Sequence, residues 1–270
     1  MSSTLASLLP WGSHSTSPRL WPSKLVSRTR TWKQRSISCN KRTQLSPGLS
    51  FPRSSFSSHK QIMAATTSIV GAMADRSPVL LFDVMGTIVR DPFYQDIPAF
   101  FGISLKELLQ IKHPTAWVDF EKGLITEEEL VANFFKDKRS FDANGLKTCV
   151  ANGYEYLEGI ESVLDRLKSK GYQMHAFTNY PSWYKLIEQK LELSKYLTWT
   201  FVSCHTGKRK PDREAFMDAA RQLRLSPSDI IFIDDQSSNV QAAIQTGMIG
   251  LTFEGSEKLE TDLRTLGLSL

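Results

Sequence analysis

Apolar and polar positions divide the chain near residue 72. Before that point Ser and Pro break every apolar stretch, and no helical or strand period is sustained. From residue 79 short apolar runs take over. Val79–Phe82 is four apolar residues ending at one acid, Asp83, which predicts a strand buried on both faces, as in a parallel sheet covered by helices. Further strands are expected at Gln173–Phe177, Thr200–Cys204, Ile230–Ile233 and Ile249–Phe253. Helical spacing lies between them at Gly159–Ser169, Ser182–Leu191, Pro211–Leu223 and Ser238–Gln245, with Gly171 and Gly247 as stops and Pro211 at a first turn. Strands alternating with helices imply an α/β fold with a mostly parallel, doubly wound sheet.

One stretch breaks the alternation. From Arg90 to about Asn152 the chain is rich in Phe and helical spacing and offers no strand. Ile103–Ile111 and Glu127–Phe135 read as amphipathic helices, the second opened by a capping box of Thr126 and Glu129. The expected organisation is a core of residues 73–92 and 152–270, with 93–151 inserted as a small helical cap over the strand ends.

Charge changes the picture of the N-terminal part. The 270 residues hold 33 Lys and Arg against 28 Asp and Glu, a formal +5. Residues 1–74 contain ten of those basic residues and no acid, so the remainder is acidic, with 23 basic against 28 acidic side chains. The basicity belongs to the leader alone, so a nucleic-acid partner loses its main support and none is expected. An acid-free, Ser-rich, Arg-bearing leader over 1–72 is the composition of an organelle transit peptide, and its Met-Ser-Ser-Thr-Leu-Ala start points to the chloroplast stroma. No apolar run is long enough to span a membrane. Cys39, Cys149 and Cys204 are too scattered for a metal pair or a disulfide framework.

Four polar signals stand at or just past strand ends: Asp83, Thr178-Asn179, Lys210 and Asp234-Asp235. In open α/β sheets ligands bind at that edge. Together these residues offer a carboxylate nucleophile, a hydroxyl with neighbouring amides, a cation and a carboxylate pair. Phosphoryl transfer needs such parts, because its catalysis is mostly positioning and charge neutralisation. Crowded carboxylates repel one another, and a bound Mg²⁺, which takes oxygen ligands, relieves that.

In this arrangement the chain resembles the haloacid dehalogenase superfamily of hydrolases. Asp83 and Thr87 match its first motif, Asp-x-Asp-x-Thr; Thr178 matches its second, Lys210-Pro211 its third and Asp234-Asp235 its fourth. The stretches Asp91–Asp96, Phe120–Gly123, Phe177–Pro181 and Gly207–Asp212 further resemble the plant branch that hydrolyses flavin mononucleotide (FMN). The resemblance implies a Rossmann-like core with a helical cap and a phosphatase acting on a small phosphate ester. It implies Asp83 as nucleophile, with Lys210 orienting it and offsetting its charge. Thr178, Asn179 and the amides after Asp83 would hold the phosphoryl oxygens. Mg²⁺ would be held by Asp83, the Met85 carbonyl and Asp235, with Asp234 bound directly or through water.

The sequence departs from the family at Met85, where the second aspartate should protonate the leaving oxygen and later activate water. Methionine has no proton to give. Asp91, Asp96, Glu121 or a metal-bound water are the replacements open at this level. A slow or non-catalytic phosphometabolite-binding protein is the rival reading, and a dehalogenase, whose halide leaves unprotonated, is another. Among aromatics, Tyr94 and Trp117 are the favoured substrate contacts, and Tyr180 and Trp183 are candidates for the entrance. Lys208 and Arg209 read as a solvated loop.

Overall fold

A computed structural model describes residues 77–270. The expected leader lies outside the described residues, as does Cys39. Five parallel strands form one sheet: β1 (Val79–Phe82), β2 (Met174–Thr178), β3 (Thr198–Val202), β4 (Ile230–Asp234) and β5 (Ile249–Thr252), in the order β3-β2-β1-β4-β5. β1 is central, and its unbroken apolar run has a simple cause. Leu80 and Phe82 pack into one hydrophobic layer, Val79 and Leu81 into the other. Edge strand β5 is only half-buried throughout.

The first layer is faced by α6 (Ile160–Ser169), whose Ile160, Val163, Leu164 and Leu167 repeat at helical spacing and are all buried. Truncating either leucine to alanine removes about 2–5 kcal/mol of stability. α11 (Ser256–Thr265) joins this layer through Leu259 and Leu263. The second layer is faced by α9 (Arg213–Leu223) and α10 (Ser237–Gln245), through Phe216, Ala219, Val240 and Ala243. Phe177, Phe216 and Phe232 fill its centre edge to face, with ring centroids 5.2–5.5 Å apart.

Between β1 and α6 lie α1 (Asp96–Phe101), α2 (Leu105–Ile111), α3 (Ala116–Glu121), α4 (Glu127–Ala132) and α5 (Ala143–Gly153), with no strand among them. The Thr126–Glu129 capping box opens α4 as expected, and a second, Ser104–Glu107, opens α2. Hydrogen bonds fasten this helical segment to the rest, two of them from Ser203 and Trp183. Ser203 Oγ donates to the Glu121 carbonyl at 2.6 Å, and Trp183 Nε1 donates to Glu127 at 2.9 Å. Near the first of these bonds Gly123 (φ 68°) lies so close to the Cys204 carbonyl that a Cβ would sit 2.4 Å from it.

Several boundaries differ from the expected ones. β3 ends at Val202, and the chain turns at once into the short helix α8 (Ser203–Thr206), so Cys204 is helical. Pro211 precedes α9, which starts at Arg213. The remaining helix, α7 (Tyr184–Leu191), starts two residues late, and α4 ends at Ala132. Trp183 is 3 % exposed and packs against Trp117 and Phe120, so it is core and not entrance.

Candidate active site

β1, β2 and β4 deliver the polar residues to one edge. Strand order reverses between β1 and β4, the place where an open α/β sheet leaves a crevice past its carboxyl ends. Asp83 follows β1 directly, its amide donating to the Ile233 carbonyl at 2.8 Å. The chain then closes a tight turn, in which the Gly86 amide donates to Val89 at 2.8 Å and Ile88 and Val89 both donate to the Val84 carbonyl.

Thr87, buried in that turn, accepts from the Asp235 amide at 3.1 Å and lies 3.5 Å from Asp83 Oδ2. Gly86 has φ 81°, and a Cβ there would stand 2.9 Å from Asp235 Oδ2. Gly86→Ala is therefore expected to cost about 1–2 kcal/mol for the left-handed backbone, on top of displacing Asp235. Chemical denaturation reads the loss, and an unchanged midpoint would contradict this picture of the turn.

Lys210 is the hub. It is 1 % exposed, and its Nζ donates to Asp83 Oδ1 at 2.8 Å and to Asp234 Oδ2 at 2.7 Å. Its apolar surroundings include the aromatic rings of Phe177 and Phe232, whose centroids lie 5.3 and 5.1 Å from Nζ. Asn179 fixes the backbone, donating to the Lys210 carbonyl at 2.9 Å and accepting from its amide at 2.8 Å. Burial opposes the ammonium charge, yet Asp83 and Asp234 hold Lys210 above the ordinary lysine value. Burial pushes the Asp83 carboxyl up to about 7; Lys210 pulls against this, while Asp234 and Asp235 add to it. Asp235 is raised by burial and by the Asp234 charge.

Asp234 is fully buried and saturated. Besides Lys210 it accepts from the Gln236 amide at 2.7 Å and from Asn239 Nδ2 at 3.0 and 3.1 Å. Asp83, Asp234 and Asp235 each offer an oxygen within 4.8 Å of the others. Such an all-carboxylate set suits a hard cation such as Mg²⁺. Thr178, also buried, has a hydroxyl with no protein partner. An orphaned buried hydroxyl costs free energy unless a ligand or water satisfies it.

One cavity of about 180 Å³ gathers Asp83, Met85, Gly86, Thr178, Asn179, Lys210 and Asp235. A second, of about 360 Å³, adjoins it and is lined by Phe93, Leu109, Lys112, Trp117, Val118 and Tyr180 among others. Tyr94, 57 % exposed, lines both. The expected site residues thus come together, with Asp234 just behind the wall.

Sequence reasoning missed an ion pair here. Arg209 Nε donates to Glu121 Oε2 at 2.7 Å, and both residues line both cavities, so Arg209 is not on a solvated loop. Lys208 does face out, toward Glu214 and Asp218. His175, by contrast, is a packed strand residue, its Nδ1 2.6 Å from Thr200 Oγ1.

Comparison with known proteins agrees with the geometry. Residues 78–247 match the model of the haloacid dehalogenase-like hydrolases. The chain is 56% identical over 193 residues to flavin mononucleotide hydrolase 1, a chloroplastic protein of Arabidopsis thaliana, covering 72% of this chain and 79% of the relative. It is 29% identical to the sesquiterpene phosphatase AstK of Aspergillus oryzae over 61% of this chain and 85% of that one. In fold it is similar to a HAD family enzyme of Bacteroides thetaiotaomicron crystallised with magnesium and inorganic phosphate, with TM-score 0.56, 19% identity, and coverage of 68% of this chain and 99% of that one. On the family match and the close relative together, the chain belongs to the haloacid dehalogenase-like hydrolases.

Proposed function

We propose that the protein is a Mg²⁺-dependent phosphatase that converts FMN to riboflavin and inorganic phosphate through a phosphorylated Asp83. The observation that carries the chemistry is the juxtaposition of Asp83 with the Lys210 ammonium, the Asp235 carboxylate and the unpartnered Thr178 hydroxyl in one cavity. Asp83 Oδ attacks phosphorus, and the bond to the ester oxygen breaks, leaving an aspartyl-phosphate that water hydrolyses. Lys210 holds one Asp83 oxygen and keeps the nucleophile pointed into the cavity. Thr178, the Asn179 amide and the amides following Asp83 receive the phosphoryl oxygens. Asp83, the Met85 carbonyl and Asp235 would hold Mg²⁺; Asp234, whose oxygens already accept from Lys210, Gln236 and Asn239, would act through water. When bound, the ion offsets the charge of these carboxylates and of the phosphate.

FMN is supported by the 56% identity to the Arabidopsis hydrolase of that name, and the aromatic second cavity suits a flat ring system. Residues 93–151 act in this reading as a cap that supplies one side of that cavity, through Phe93, Leu109, Lys112, Trp117 and Val118. The relative's chloroplastic label and the acid-free leader support targeting to the chloroplast. The test is phosphate release from FMN by the purified protein. Release is expected with Mg²⁺ and should fall at least about a hundredfold with a chelator. FMN bound without release of phosphate would favour the rival, a non-catalytic phosphometabolite-binding protein.

A further inference from the structure

The Met85 side chain leaves the reaction without its usual proton donor, and the structure narrows the choice of substitute. A phosphate ester held by Thr178 and Lys210 places phosphorus in the first cavity and its leaving group in the second. The leaving oxygen therefore sits where the two cavities meet. Six residues line both: Met85, Asp91, Tyr94, Glu121, Asn179 and Arg209. Of these only Asp91 and Glu121 carry carboxyls.

Glu121 is already spent. Its Oε1 accepts from Trp117 Nε1 at 2.6 Å, and its Oε2 accepts from Arg209 at 2.7 Å. Asp96, the third carboxyl near the insertion, lines neither cavity and is gripped by both terminal nitrogens of Arg90 at 2.6 and 3.1 Å. Asp91 differs from both. Its Oδ1 accepts from the Phe93 amide at 2.8 Å, capping the 3₁₀ turn Pro92–Tyr94, and that bond fixes the carboxyl at the junction. Among the described residues no group donates to its Oδ2. Burial raises the Asp91 carboxyl, with the Phe93 amide and Arg90 opposing and Asp235 and Asp96 assisting. A carboxyl in such surroundings is a better proton carrier near neutrality than an exposed one.

We infer that Asp91 is the general acid and base of the reaction, replacing the aspartate that Met85 displaces. The inference rests on the phosphatase reading above. In the first step Asp91 is protonated: as Asp83 forms its bond to phosphorus, the bond to the ester oxygen breaks and that oxygen takes the Asp91 proton. In the second step the Asp91 carboxylate draws a proton from the water that attacks phosphorus. The bond to Asp83 then breaks, and phosphate leaves with Asp91 protonated again.

The test uses the leaving group. FMN is an alkyl phosphate, whose alkoxide cannot depart unprotonated, whereas nitrophenolate leaves as the anion. The kcat/KM of each ester reports steps up to formation of the aspartyl-phosphate. For Asp91→Asn, kcat/KM with FMN should fall about 10²–10⁴-fold, while kcat/KM with p-nitrophenyl phosphate stays within about tenfold and a burst of nitrophenolate precedes slow turnover. Asn and Ser both cap a helical turn as Asp does, so Asp91→Ser should show the same split, and retained aryl reactivity proves the site is intact. An equal fall for both esters in both variants, or no fall with FMN, would overturn the assignment and leave the phosphatase reading standing. A wild-type protein that releases phosphate from neither ester would overturn both.

Discussion

Lys210→Met is expected to destabilise the metal-free protein by about 3–5 kcal/mol and to abolish turnover. The ammonium is buried between Asp83 and Asp234, and no other cation donates to either of them among the described residues. Methionine fills the aliphatic space but leaves two buried carboxylates facing each other without a counter-charge, and breaking a buried pair by deleting one partner costs that much. The sign of the pH dependence follows from Asp83. Its carboxyl is already raised from 3.8 to about 7 with Lys210 present, and losing the cation raises it further. A group raised in the folded state supports folding at low pH and works against it as pH climbs. The deficit of the variant should therefore be largest above pH 7 and shrink toward pH 4. Urea denaturation of the wild type and Lys210→Met at both ends of that range tests this. A deficit below about 1 kcal/mol, or one that does not change with pH, would show that Lys210 is not the counter-charge.

Asp83→Asn should have the opposite effect on stability and an even larger one on activity. Asparagine keeps an oxygen for Lys210 to donate to, and it removes one of three carboxylates whose mutual repulsion the fold sustains. The metal-free variant should thus melt at or above the wild-type temperature, and Mg²⁺ should raise its melting point less. Turnover of FMN should fall at least about 10⁴-fold, as it does when a covalent nucleophile is removed. Stability and activity moving in opposite directions is the signature of a strained catalytic cluster. A variant that loses both together would instead mark Asp83 as a structural residue.

What could be read from the chain follows from how local each signal is. β1 was legible because Val79–Phe82 is buried on both faces, and a strand in that position has no reason to alternate. The placement of Asp83, Thr178 and Asp235 was legible because each ends or follows a strand, and that of Lys210 because Pro211 marks the turn after it; parallel strands bring such ends to one edge. The short helices of the insertion were harder. α5 contains Asn144, Gly145, Asn152 and Gly153, poor helix formers held in place by the packing of Leu146 and Val150. α11 was missed altogether, since Gly255 opens it without a capping side chain and only Leu259 and Leu263 mark its buried face. The Glu121–Arg209 pair joins residues 88 apart in sequence, and neither residue carries a local mark of the other. Asp91 likewise became distinct from Asp96 and Glu121 only through what each carboxylate accepts in the fold.

If the phosphoryl group passes through Asp83, it can be trapped there. Acid quenching during turnover of FMN with Mg²⁺, followed by peptide mass spectrometry, should find one phosphoryl group on the peptide that carries Asp83, and none in Asp83→Asn. Full turnover with no phosphorylated peptide, or an Asp83→Asn variant with wild-type activity, would contradict it.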